Sequence, residues 1–69
     1  MSRFPEVVVQ TNDSFSISIN RAAKRAARRA GLSPELIAQY DRQAWAQCGG
    51  DHLVRVTQDW FTLPNFNAL

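Results

Sequence analysis

Residues 14–31 read SFSISINRAAKRAARRAG, and the point at which this stretch changes character decides what the chain can fold into. Its first part alternates without error: Ser14, Ser16 and Ser18 to one side, Phe15, Ile17 and Ile19 to the other. A period of two is the pattern of a half-buried strand. Its second part, 21–30, contains only Ala, Arg and Lys. Wound at about 100° per residue, Arg21, Lys24, Arg25, Arg28 and Arg29 fall on one arc and Ala22, Ala23, Ala26, Ala27 and Ala30 on the other. Alanine is the best helix former and Arg and Lys follow closely, so this part reads as a helix. Asn20 between the two parts suits an N-cap, and Gly31 suits the C′ position.

Working outward toward the N-terminus, residues 6–10 (EVVVQ) are Val-rich and read as a strand, with Pro5 at its entry, where a strand tolerates proline. Thr11-Asn12-Asp13 is a polar turn, so 6–19 reads as a β-hairpin. In the other direction, Ser33-Pro34-Glu35 starts a second helix: a capping hydroxyl, proline at the first helical position, an acid in the first turn. Over 35–47, Leu36, Ile37, Tyr40, Ala44 and Cys48 share one arc, with Trp45 at its edge and Arg42 opposite. Gly49-Gly50 ends this helix and turns the chain. Residues 52–63 (HLVRVTQDWFTL) are rich in β-formers and read as a third strand, irregular at Gln58-Asp59, with Pro64 closing it. The expectation is an α+β domain: a small antiparallel sheet in ββααβ order, an N-terminal hairpin plus a C-terminal strand, with two helices on one face. Residues 1–69 form one domain, with 1–5 and 64–69 as loosely ordered ends.

The length lies near the lower limit for a self-sufficient core, and 45% apolar residues are too many for a disordered chain. No apolar run is long enough to span a membrane, and MSRFPEVVVQ lacks the apolar core of a secretory signal. Cys48 is the one cysteine, which points to a reducing, cytoplasmic setting. The net charge is only +2, but it is unevenly spread. Five cations sit in 21–30, while Arg3, Arg42 and Arg55 face Glu6, Asp13, Glu35, Asp41, Asp51 and Asp59 elsewhere. The protein is a basic ridge on a mildly acidic body, a distribution that orients a partner during encounter.

Chemistry is sparse. Cys48 with Asp51-His52 has the residue types of a nucleophile, a base and an orienting acid, but neighbours in sequence are not a geometry. One Cys and one His cannot complete a zinc tetrahedron, and Gly49-Gly50 follows a helix without opening one, so no phosphate loop is expected. No catalytic residue, metal or cofactor is implied, and the chain reads as non-enzymatic. Residues 44–56, AWAQCGGDHLVRV, resemble in outline the end of small phycobilisome linker domains. The shared part is a helix stop, and no role follows from it.

The ridge is the functional signal. Arg21/Arg25, Arg25/Arg29 and Lys24/Arg28 are like-charge pairs one turn apart, each costing about 0.2–0.5 kcal/mol, with no acid within 21–30 to relieve them. A helix that keeps such crowding suits an anionic partner. The expected role is accessory, regulatory or inhibitory binding to a larger assembly, through an acidic protein surface. The contact residues would be Arg21, Lys24, Arg25, Arg28 and Arg29 with Trp60 and Phe61. The size and pure contact surface suit a phage or mobile-element inhibitor, or a small subunit. Nucleic-acid binding through phosphate contacts is the alternative, with few side chains on the helix to read bases. A homo-oligomer would add stability to so small a core. Membrane binding is not expected, because the face opposite the arginines is all Ala.

Overall fold

The computed structural model describes residues 2–11, 15–47 and 49–64. Strand β1 (Phe4–Val8) is followed by helices α1 (Ser16–Arg29), α2 (Pro34–Ala44) and α3 (Gly50–Trp60), and strand β2 (Phe61–Thr62) closes the order βαααβ. The two strands pair in parallel, Phe4 beside Phe61 and Val8 beside Thr62, with an irregularity between. The fold is α+β, but the antiparallel ββααβ sheet expected from the sequence is not what forms. Two stretches read as strands are helical.

The first is residues 16–19, which open α1. A helix limited to 21–30 would be short for its nucleation cost and would hold Arg21 at the positive end of its dipole. Starting at Ser16 adds residues without a new nucleus and moves Arg21 beyond the first turn. It also places Ile19, Ala23 and Ala27 on one buried stripe at four-residue spacing. The cost is local. Phe15 and Ile17, expected to be inside, are 74% and 61% exposed. Asn20, expected as the cap, is inside the helix and 3% exposed, and the N-cap position falls to Phe15, whose side chain makes no capping bond. The expected turn at Asn12-Asp13, with Ser14, lies outside the described residues.

The second is 52–60, which belongs to α3. Leu53, Val56, Thr57 and Trp60 are its buried residues, spaced i, i+3, i+4, i+7. That helical stripe is masked in the sequence by β-branched neighbours, and the irregular alternation near Gln58-Asp59 is its visible trace. Gly49 is the N-cap of α3, with φ 125°, and Gly50 is its first residue. The glycine pair therefore opens a helix after all. The preceding helix stops at Ala44, earlier than expected, and begins as read: the Ser33 hydroxyl accepts the Leu36 N–H at 3.2 Å, with proline in the first turn.

A parallel pair needs a long crossover, and here the three helices supply it. Val7 of β1 and Val9 just after it, the Ile19 stripe, Tyr40 and Ala44, the α3 stripe, and Phe61 and Leu63 form one core. The N-terminal end, expected to be loose, is bonded: the Ser2 hydroxyl shares its one proton between the carbonyls of Gln58, at 2.9 Å, and Phe61, at 3.0 Å, and Arg3 N–H donates to Asp59 O. The expected loose tail at 65–69 lies outside the described residues, as does Cys48.

Candidate binding surface

Burying Ala23 and Ala27 turns the opposite side of α1 outward, while Ala22 and Ala26 are half-buried and Ala30, past the end of the helix, is exposed. Arg21, Arg25, Arg28 and Arg29 are exposed, and Lys24 is half-buried. Lys24 Nζ lies 3.3 Å from Asp41 Oδ1, an ion pair across α1 and α2. Among the described residues the four arginines have no carboxylate within ion-pair distance. Arg28 and Arg29 lie in the last turn, where the helix dipole favours cations.

Trp60 and Phe61, expected as exposed contact residues, are instead 1% and 0% exposed. The reason is the helix-to-strand junction. Trp60 ends α3 and Phe61 begins β2, so consecutive residues both face inward, which an uninterrupted strand would not allow. They join Phe4 and Tyr40 in an aromatic cluster: Tyr40–Phe61 centroids 5.0 Å apart, Phe4 stacked on Trp60 at 5.9 Å. The Arg3 guanidinium lies 4.6 Å over the Trp60 ring, and Trp60 Nε1 donates to Gln43 Oε1 at 2.9 Å. Neither ring therefore presents surface to a partner. Among the described residues, the large apolar side chains that do face solvent are Phe15, Ile17, Val8 and Trp45.

A groove of about 510 Å³ runs between β1 and α1. Its strand wall is Glu6, Val7, Val8 and Gln10, and its helix wall is Ala22, Arg25, Ala26, Arg29 and Ala30. Two ridge arginines therefore border it. Compared with protein-family models, curated proteins and solved structures, the chain has no significant match. Its reading rests on its own geometry.

Elsewhere the polar groups hold elements together. His52 Nε2 approaches Gln43 O at 2.9 Å; the acceptor is a carbonyl, so this nitrogen carries the proton. Gln43 thus ties α2 to both ends of α3. No group of three His, Cys, Asp or Glu side chains suited to a metal occurs among the described residues. No helix among them is long and apolar enough to cross a membrane. The sequence reading missed the groove because it had no means of placing β1 beside α1.

Proposed function

We propose that this protein is a non-enzymatic binding module that docks through the α1 ridge on an acidic surface of a larger protein assembly, in an accessory, regulatory or inhibitory role. One observation carries the reading. Arg21, Arg25, Arg28 and Arg29 share the exposed side of one helix without carboxylate partners among the described residues. The crowding costs helix stability, and an array of carboxylates would relieve it. Arginine also makes planar, two-pronged contacts with carboxylates that lysine cannot. The burial of Trp60 and Phe61 narrows the proposed surface to the ridge. The reducing, cytoplasmic setting expected from a lone cysteine belongs with this reading.

The test is a binding titration, by fluorescence anisotropy, against labelled polyglutamate, a labelled DNA duplex and a labelled single strand, across a salt series. The comparison is a variant with Arg21, Arg25, Arg28 and Arg29 all changed to Gln. Binding to polyglutamate that weakens with salt and is lost in the variant supports the reading. Tighter binding to either nucleic acid, lost in the same variant, assigns the ridge to phosphate instead. No binding at low salt makes the ridge a solvated face.

A further inference from the structure

We infer that the groove between β1 and α1 takes an extended acidic segment of the partner protein, which adds to the free edge of β1 as a new strand. This rests on the reading of the ridge as a carboxylate-binding surface and states the form that the partner takes there.

Among the described residues the sheet has two strands, so β1 has a sheet neighbour on one edge only. That neighbour is fixed by the Val9 N–H, which donates to Thr62 O at 2.8 Å. Backbone groups alternate along a strand, so those of Val8, the last residue of β1, turn to the other edge. The groove lies at that edge. Val7 points into the core and Val8 to solvent, yet both line it, so it runs along the backbone of β1, not over one of its faces. Open strand edges are templates for pairing, and peptide addition at such an edge is a recurrent mode of recognition.

Shape and charge select the occupant. The strand part of one wall, residues 6–8, spans about 7 Å and is continued by Gln10, and the helix wall, 22–30, spans about 12 Å, so the groove is elongated. Alanines at 22, 26 and 30 keep the helix side low enough for a backbone to enter. Arg25 and Arg29 stand one turn apart, about 6 Å along the helix. Alternate residues of an extended peptide are about 6.6 Å apart on one side. Carboxylates at every second position therefore match the two guanidinium groups. Glu6, on the strand wall, carries the opposite sign and directs the acids of a bound peptide toward the helix.

The experiment uses the full chain and a dye-labelled peptide of alternating Glu and Val, read by anisotropy at low salt. Its controls are a Lys–Val peptide and the Glu–Val peptide with N-methylated amides on its pairing edge. Expected are binding of the Glu–Val peptide only, a loss of about tenfold or more on N-methylation, and a similar loss for Arg25→Gln with Arg29→Gln. Arg21→Gln with Arg28→Gln, outside the groove, should cost far less. Val8→Pro removes the edge N–H and leaves the Val9–Thr62 bond in place; it should weaken binding with an unchanged far-ultraviolet spectrum. Should that variant not fold, the N-methylated peptide on the wild-type chain decides alone. Undiminished binding of the N-methylated peptide overturns strand addition and leaves the ridge reading standing, as do equal losses from the two arginine pairs. Failure of every acidic probe overturns both. A dimer that blocks peptide binding and is dissolved by Val8→Pro gives the edge to a second copy and overturns the inference.

Discussion

Tyr40 joins the aromatic cluster to a short chain of buried hydrogen bonds. Thr57 Oγ1 donates its one proton to Leu53 O at 2.8 Å, so the 2.6 Å contact between the Tyr40 and Thr57 hydroxyls has Tyr40 as donor. Asn20, buried beside them, has an amide nitrogen with no partner in hydrogen-bond geometry. Burial raises the Tyr40 pKa above its ordinary value of 10.0, with the Thr57 hydroxyl offsetting part of that. The offset requires Thr57 to swing its proton from Leu53 O to the phenolate. A raised folded pKa means that the stability from this group is fully present below about pH 10, the unfolded value, and is lost as pH rises through the folded one. Tyr40→Phe should lower stability at neutral pH by about 0.5–1.5 kcal/mol and flatten the alkaline loss, both measurable by urea unfolding. Tyr40 is the one tyrosine, so tyrosinate absorbance follows it directly. Its core position was legible from the helix-two arc, and so was the outward arginine row. Trp60 and Phe61 were misplaced because adjacent large residues rarely both face inward unless the backbone changes type between them.

At the start of α1, alternation and helix compete over the same four residues, 16–19, and the helix prevails because the adjoining residues 21–30 are so strongly helical. Alternation in a stretch this short carries little weight against a contiguous Ala-Arg segment. The end it creates is poorly made: Phe15 at the N-cap, no capping bond, no acid in the first turn. Phe15→Asp should therefore stabilise the protein by about 0.5–2 kcal/mol through a capping bond and the helix dipole. Thermal and urea unfolding would show it. A strand with Phe15 inside would respond in the opposite direction, with a loss of stability from a buried charge, so one variant separates the two structures. Helix α3 was hidden for a related reason. Its stripe of Leu53, Val56, Thr57 and Trp60 was present in the sequence, but Val54, Val56 and Thr57 weigh toward strand when read by propensity. The open glycine pair compounded this, since Gly-Gly after a helix reads as a stop, although Gly50 tolerates helical geometry with only Ser16 near its missing side chain.

For the whole molecule, the parallel pairing of β1 with β2 could not be read from local pattern, because β2 is two residues long and follows α3 without a loop. What defines it is tertiary: Ser2 Oγ to Phe61 O and Thr62 Oγ1 to Pro5 O are contacts between positions 59 and 57 apart in sequence. These contacts form only after nearly the entire chain has been drawn into a ring, and the entropy of that closure must be met before they contribute. The helices have no such delay, since α1 and α2 meet across a short connection. The expected order of assembly is therefore helices first, with the ends of the chain brought together after the transition state. In stopped-flow measurements Val7→Ala should speed unfolding and leave the refolding rate nearly unchanged, whereas Ala23→Gly in α1 should slow refolding. The reverse pattern would mean that the strands nucleate folding. If closure is late, the arginine row of α1 is aligned before β1 settles beside it, so the helix wall of the groove is older in folding than the strand wall.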